Sequence, residues 1–81
     1  MNRIYYYKDG WAFLEYKGTK EWYHFGLNNI MDTGWIFQNG NIYYLQTEIN
    51  TTYGKMFTGV QTIDGIKYEF GKNGVLKGLA N

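Results

Sequence analysis

The sequence predicts an all-β fold, a solenoid of about three β-hairpin repeats with partial units at the two ends. Aromatic residues make up 21% of the 81 residues, with nine Tyr and three Trp, and there are eleven Gly but no Pro. Apolar residues recur at a period of two on either side of glycine-containing dipeptides, which is typical of paired strands. Because aliphatic residues are scarce, rings have to form most of the core.

The clearest hairpin spans residues 32–45. Rings and aliphatic side chains occupy every second position of its two strands: Trp35, Phe37, Ile42 and Tyr44. Asn39-Gly40 separates the strands and predicts a two-residue type I′ turn, because both central residues of that turn need φ > 0. Asn and Gly adopt this conformation at the lowest cost.

The remaining chain reads as variations on this unit. Hairpins are predicted at approximately 11–25, 35–46 and 60–70. In the last of them Asp64-Gly65 predicts another type I′ turn. Residues 4–7 are predicted to form the second strand of an incomplete first unit. Gly78-Leu79 is predicted to begin a further unit. The connector Gln46–Tyr53 carries an insertion, so the repeat period is close to twenty but not constant.

Composition excludes several classes of function. A formal net charge of +1 argues against binding to nucleic acid or to an anionic membrane, and no apolar run approaches the ~18 residues of a membrane span. There is no Cys, and His24 is the only histidine, so the sequence predicts no disulfide, metal site, cofactor or catalytic triad. The glutamates at 15, 21, 48 and 69 show no pattern that places two of them at a shared cleft. We therefore expect no enzymatic activity.

Strand parity sorts the rings into two faces. One face is apolar in every unit and predicts the core between stacked hairpins: Tyr23, Phe25, Tyr43, Leu45, Tyr68 and Phe70. The other face changes along the chain from aromatic to charged: Trp22, His24, Ile42, Tyr44, Lys67 and Glu69. A face that must be buried would not tolerate Lys67 and Glu69, so this second face is predicted to bind a ligand.

Several stretches resemble the cell-wall-binding repeats of Gram-positive surface proteins. They are Met31-Asp32-Thr33-Gly34-Trp35, Gly40-Asn41-Ile42-Tyr43-Tyr44-Leu45 and residues 58–70. The family includes the choline-binding modules of autolysins and phage lysins, the glucan-binding repeats of glucosyltransferases and the C-terminal repeats of clostridial toxins. Its shared pattern is Gly-Trp, a turn Gly, a Trp-Tyr-Tyr-Leu/Phe run and Gly-x-Met-x-Thr. The resemblance covers roughly residues 13–78.

The resemblance implies a ligand pocket between consecutive hairpins. Mapped onto this sequence, the first pocket contains Trp22 with either Trp11 or Phe13, is closed by Tyr44 and has Met31 as its floor. Trp11 matches the Gly-Trp dipeptide, whereas Phe13 matches the spacing to the turn glycine. Both alternatives stay open at this point.

The resemblance also implies a second pocket around Trp35. Ile42 and Glu69 stand there at positions that relatives fill with rings, which weakens the aromatic cage. Such a cage would hold a quaternary ammonium by cation–π attraction, at ~0.5–2 kcal/mol per ring. The same exposed rings would also stack on the apolar faces of sugars.

The implied function is a non-catalytic module that anchors a surface enzyme or toxin by binding the choline of teichoic acids. Two alternatives remain: a module that binds glucan or another carbohydrate, and a structural module that self-associates as a homodimer without a small ligand. The implied location is the bacterial cell surface. Because the N-terminus lacks the apolar region of a signal peptide, we expect the chain to be part of a longer secreted or phage-encoded protein.

Overall fold

The computed structural model describes residues 3–16 and 18–80, and this part of the chain is built from β-strands. The strands are β1 (Arg3–Lys8), β2 (Trp11–Tyr16), β3 (Thr19–His24), β4 (Gly34–Gln38), β5 (Asn41–Leu45), β6 (Gly59–Ile63), β7 (Ile66–Phe70) and β8 (Leu76–Leu79). A single turn of 3-10 helix, Leu27–Asn29, is the only helical element in these ranges, and none of their helices is long and apolar enough to cross a membrane. The predicted all-β hairpin fold is confirmed.

Three antiparallel sheets follow one another along the chain, in the strand orders β1-β2-β3, β4-β5 and β6-β7-β8. We call β2–β3, β4–β5 and β6–β7 the first, second and third hairpins. At the turn of the second hairpin Asn39 has φ 53° and Gly40 has φ 82°, as a type I′ turn requires. This turn fixes the register in which Trp35 lies opposite Tyr44.

The partial units at the ends become third strands of the outer sheets. Asp9-Gly10, with φ 55° and 88°, joins β1 to β2, and the two strands pair over their whole length with an irregularity between Ile4 and Tyr6. At the other end β8 pairs with β7. Residues 4–7 therefore extend the first hairpin instead of forming a separate unit.

The core lies at the junctions between hairpins. Leu45 is fully buried, Phe70 and Tyr23 are 2% and 7% exposed, and all three come from the predicted core face. The second face differs from the prediction, because His24 and Tyr44 are also buried, at 9% and 8% exposed. Consecutive hairpins meet both faces of their neighbours, so burial is not restricted to one strand face.

The methionine that follows each of the first two hairpins contacts a glycine that follows the next hairpin along the chain. Met31 pairs in a bridge with Phe25, and Met56 pairs in a bridge with Leu45. A Cβ atom at Gly54 would meet the side chain of Met31, and one at Gly74 would meet the side chain of Met56. The glycines therefore leave room for the methionines, and this contact recurs with the repeat.

Substituting Gly74 with alanine is expected to destabilise the protein more than the same change at Gly65. Both glycines have positive φ, 85° and 82°, which costs an alanine ~1–2 kcal/mol. Open space surrounds Gly65, whereas the new Cβ at Gly74 would press on Met56. Urea unfolding followed by circular dichroism measures the difference. Equal losses of unfolding free energy for Gly74→Ala and Gly65→Ala would show that the contact with Met56 does not contribute to stability.

Candidate ligand-binding site

Two tryptophans occupy equivalent places at the two hairpin junctions. The ring centroid of Trp11 lies 4.8 Å from that of His24 across the same hairpin and 4.7 Å from that of Tyr43 in the next hairpin. The ring of Trp35 lies 4.8 Å from Tyr44 and 5.1 Å from Tyr68 in the same arrangement. All four ring pairs are edge-to-face, with interplanar angles of 61–74°. The ring geometry therefore repeats from one junction to the next.

This repetition decides between the two alternatives for the first pocket. Trp11 lies opposite His24 just as Trp35 lies opposite Tyr44. Phe13 instead lies opposite Trp22, further toward the turn. Trp11, and not Phe13, is the structural equivalent of Trp35.

A cavity of about 680 Å³, which we call the Trp11 site, lies at the first junction. Four rings and a thioether line it: Tyr6, Trp11, Trp22, Tyr43 and Met56. Its other lining residues are polar or charged: Lys8, Asp9, Gln38, Asn39, Lys72 and Asn73. The lining thus comes from β1 and the turn after it, the first two hairpins, the connector after the second hairpin and the turn after β7. Cavities of this size are common for small ligands.

Hydrogen bonds fix the orientation of the Trp11 indole. Its Nε1–H donates to Oε1 of Gln38 at 2.7 Å, and Nε2 of Gln38 donates to the carbonyl oxygen of Asp9 at 2.8 Å. Gln38 thus ties the second hairpin to the turn that precedes the first. Because the polar edge of the indole is satisfied there, its ring faces stay available for packing or for a ligand.

Trp22 stands between the rings of two neighbouring strands. Its centroid lies 5.0 Å from that of Phe13 on β2 and 5.6 Å from that of Tyr6 on β1. Of the residues predicted for the first pocket, Trp11 and Trp22 line the Trp11 site, while Phe13 supports Trp22. Tyr6 and Gln38 were not predicted, because only the pairing of β1 with β2 and the stacking of hairpins bring them there.

Two predicted members of the first pocket lie elsewhere. Tyr44 packs against Trp35 and Phe57, with centroid distances of 4.8 and 4.9 Å, and does not line the Trp11 site. Its neighbour Tyr43 lies at the Trp11 site instead, because adjacent residues of a strand point to opposite faces. Met31 likewise lines a cavity on another face, where Ile4 and Leu14 also lie.

The methionine of the Trp11 site is Met56. It is 6% exposed, and its backbone N–H donates to the carbonyl oxygen of Trp22 at 3.0 Å. The connector after the second hairpin, and not the connector after the first, therefore delivers the thioether. Met31 was predicted at this place and lies at another cavity, because sequence spacing does not show which junction a connector crosses.

Trp35 forms the centre of a smaller and more open site. The ring is 44% exposed and borders a cavity of about 320 Å³ that is also lined by Ile36, Phe37, Ile42 and Leu76. Ile42 therefore lies beside Trp35, as predicted. No charged or hydrogen-bonding side chain lines this cavity except the indole of Trp35.

Glu69 does not lie at the pocket around Trp35, where the resemblance placed it. The rings of Tyr68 and Phe70 contact Trp35, with centroid distances of 5.1 and 6.2 Å, and strand alternation turns Glu69 to the other face. The nearest cation to Glu69 is Lys77, at 3.9 Å. The side chain of Glu69, which the resemblance placed at the second pocket, is thus directed away from Trp35.

A carboxylate lies behind the Trp11 ring. Oδ2 of Asp32 is 2.7 Å from Nδ1 of His24, and the imidazole of His24 packs edge-to-face on Trp11. Nε2 of His24 has no hydrogen-bond partner within the described residues. Tyr44 holds the corresponding place beside Trp35, so within the described residues this His–Asp pair occurs at the first junction and not at the second. No cluster of three metal-ligating side chains occurs in residues 3–16 and 18–80.

The opposite face of the first sheet carries a cavity of about 750 Å³. Tyr23 and Met31 line it together with residues of the connector insertion, among them Ile49 and Tyr53. No charged side chain lines this cavity. Its rings are those of Tyr and Phe, whereas the Trp11 site holds two indoles, the rings that attract cations most strongly, so the Trp11 site is the better candidate for a cation.

Tyr23 is expected to influence the stability of the protein in alkali. Burial raises the pKa of its phenol, and the charge of Glu21 and then Tyr16 raise it further. Because the folded-state pKa lies above the unfolded value of about 10, the stabilisation is present below that pH and is lost as the pH rises through the folded-state pKa. As the pH rises from 9 to 11, through the unfolded-state value of about 10, Tyr23→Phe should therefore lose less free energy of unfolding than the unchanged protein.

Urea unfolding at a series of pH values measures this effect. Tyr7→Phe removes the hydroxyl of a tyrosine that is 53% exposed and serves as the matched control. We expect the Tyr7→Phe curve to follow that of the unchanged protein. If the two variants gave the same pH dependence, the buried phenol of Tyr23 would not be the cause.

Comparison with known proteins supports the family suggested by the sequence. No family model matches the chain. Toxin B of Clostridioides difficile is 34% identical over 71 residues, which cover 79% of this chain. Choline-binding protein F of Streptococcus pneumoniae, crystallised in the presence of a peptidoglycan analogue, superposes with a TM-score of 0.63 at 33% identity over 85% of the chain. The resemblance to cell-wall-binding repeats is confirmed.

This chain corresponds in length to a small part of each relative. The chain spans 3% of Toxin B and 20% of the choline-binding protein F structure. The structure of CbpJ, also from Streptococcus pneumoniae, has a TM-score of 0.60 and 24% identity, covers 88% of this chain and 27% of its own, and supports the fold. The matches thus cover most of this chain and a minor part of each relative.

Proposed function

We propose that this chain is a non-catalytic module that binds choline of cell-wall teichoic acids at the Trp11 site. The observation that carries the proposal is the convergence of four rings and Met56 on one cavity. A quaternary ammonium has no N–H to donate, so ring faces are the groups that recognise it, each contributing ~0.5–2 kcal/mol.

A single site of this kind is expected to be weak, and attachment to a wall would depend on several sites. The Trp35 site repeats the ring geometry of the Trp11 site with fewer rings. Linked sites on one polymer raise the overall affinity without new contacts, because the second binding event becomes intramolecular. In a longer surface protein such a module would hold an enzyme or toxin at the bacterial cell surface.

Carbohydrate is the second candidate ligand, and the Trp35 site favours it. A ring that is 44% exposed, beside the apolar side chains of Phe37 and Ile42, offers a flat surface for the face of a sugar. Choline-binding protein F was crystallised with a peptidoglycan analogue, a tetrasaccharide-pentapeptide. A glycan and choline would then occupy different junctions of the same array.

Titration with choline tests the proposal directly. Choline should change the tryptophan fluorescence and raise the melting temperature, since a ligand that binds only the folded state stabilises it by mass action. Dextran and a wall oligosaccharide are titrated in parallel. A response to sugar alone would assign carbohydrate, and no response to any of the three, with a dimer by sedimentation, would leave a self-associating structural module.

A further inference from the structure

In each of the first two connectors, the residue after the methionine docks on a strand of the preceding hairpin. The backbone N–H of Asp32 donates to the carbonyl oxygen of His24 at 2.7 Å. In the next unit the backbone N–H of Phe57 donates to the carbonyl oxygen of Tyr44 at 2.9 Å. We call Asp32 and Phe57 docking residues. The same backbone hydrogen bond thus brings two side chains of different chemistry to equivalent positions.

The side chain of each docking residue also contacts the side chain of its strand partner. Oδ2 of Asp32 lies 2.7 Å from Nδ1 of His24, and the ring centroid of Phe57 lies 4.9 Å from that of Tyr44. Because a carboxylate can only accept, Nδ1 of His24 is the donor, and this hydrogen bond orients the imidazole. A hydrogen bond in one unit and a ring pair in the other therefore hold a buried ring in place.

Each of these buried rings packs on the tryptophan opposite it. His24 faces Trp11 at 4.8 Å with an interplanar angle of 74°. Tyr44 faces Trp35 at 4.8 Å with an angle of 69°. Gly10 leaves the space for the imidazole, because a Cβ atom there would come within 2.6 Å of Nε2 of His24. A line of contacts thus runs from the docking residue through the strand residue to the tryptophan.

The third unit keeps the contact but has no tryptophan to hold. Lys77 follows Leu76, which pairs with Phe70, and Nζ of Lys77 lies 3.9 Å from Oε2 of Glu69. Glu69 lies opposite Val60, which is exposed. The side chains of this ion pair are 62% and 48% exposed, against 11% and 35% for His24 and Asp32. The buried form of the contact therefore occurs in the units that carry a tryptophan.

We propose that each docking residue positions the tryptophan of its own hairpin, acting through the strand residue between them. The two lines of contact are Asp32–His24–Trp11 and Phe57–Tyr44–Trp35. Gln38 holds the N–H edge of the Trp11 indole, and a strand ring with a fixed orientation sets the tilt of the indole by edge-to-face packing. Neither docking residue belongs to the described lining of the two cavities, so a substitution there removes no ligand contact. The proposal rests on the proposed function only in taking the indoles as ligand-binding rings.

The indole N–H signals in a proton–nitrogen NMR spectrum test this positioning without any ligand. Each of the three tryptophans gives one signal, which tryptophan-to-phenylalanine variants assign. Asp32→Ala should shift the signal of Trp11 and leave that of Trp35 in place. Phe57→Leu, which fills the space without a ring, should do the reverse. A general loss of stability would move both signals together, and that outcome would overturn the proposal.

The conservative variant Asp32→Asn separates orientation from charge. Its side-chain oxygen can still accept the hydrogen bond from His24, so the Trp11 signal should stay close to that of the unchanged protein. If Asp32→Asn shifted the signal as far as Asp32→Ala, charge and not orientation would be the cause, and the positioning role would be wrong. Lys77→Ala is the matched control from the third unit and should move neither indole signal, because its partner Glu69 lies opposite Val60.

Choline titration of the same variants connects positioning with binding. Asp32→Ala should bind choline roughly threefold to tenfold more weakly, since a misplaced ring keeps part of its cation–π attraction. Asp32→Asn should keep most of the affinity. Selective NMR shifts in a protein that binds no choline would support the positioning role and overturn the proposed function. An unchanged Trp11 signal in Asp32→Ala would overturn the positioning role even where choline binds.

Discussion

Replacing Leu45 with alanine is expected to lower the free energy of unfolding by ~2–5 kcal/mol. Leu45 is the one residue whose large side chain is fully buried within the described part of the chain. It ends β5, pairs with Gly34 in the second hairpin and forms a bridge with Met56. Alanine would leave a cavity where the second hairpin meets its connector, because the structure around a deleted core side chain relaxes only partially.

The loss is large relative to the whole protein. A chain of 81 residues has a total stability of ~4–12 kcal/mol, so Leu45→Ala removes a large share of it. Urea unfolding followed by far-ultraviolet circular dichroism measures the change. Leu27→Ala is the matched control, because Leu27 is 90% exposed and its truncation should cost less than about 0.5 kcal/mol. Similar midpoints for the two variants would show that the junction is not the main source of stability.

The sequence predicted the hairpins correctly because a hairpin is determined by residues that are close together in the chain. Asn39-Gly40 and Asp64-Gly65 require positive φ at both positions and so determine the turn type and the register of the strands they join. The alternation of apolar residues then shows which side chains share a face. Neither signal depends on where the next hairpin lies.

The partners of each face could not be predicted in the same way. Strand alternation placed Tyr43 and Tyr44 on different faces but did not show that Tyr43 would meet Trp11 of the preceding hairpin. That contact depends on the rotation between consecutive hairpins, which is set by the connectors. His24 and Tyr44 each pack against the tryptophan opposite them in their own hairpin, a contact that strand alternation alone did not show to be buried.

The sequence predicted two of the rings of the Trp11 site, but it did not predict the polar residues that surround them. Trp11 and Trp22 were recognisable because Gly-Trp and Trp-Tyr are distinctive dipeptides. Gln38 and Lys72 had no such signal, because a polar residue beside a turn is common on any surface. Only the stacked arrangement shows that Gln38 holds the Trp11 indole and that Lys72 approaches it from the third unit.

Substituting Trp11 with alanine is expected to reduce the affinity for choline by roughly tenfold or more. The change removes a ring face worth up to ~2 kcal/mol, and each 1.4 kcal/mol corresponds to a factor of ten in affinity. It also leaves Gln38 without the indole N–H that it accepts and opens the wall in front of His24. Fluorescence titration of the remaining tryptophans with choline measures the loss, provided that circular dichroism shows a folded variant.

Two further variants locate the effect. Trp11→Phe keeps a ring but loses the hydrogen bond to Gln38, so its affinity should fall between those of the alanine variant and the unchanged protein. Trp35→Ala removes the equivalent ring at the other junction and should leave the stronger choline site intact, because no residue of the Trp11 site contacts Trp35 through its ring. If Trp35→Ala abolished choline binding while Trp11→Ala did not, the cation would bind at the second junction, and the convergence of rings on Trp11 would be a feature of packing alone.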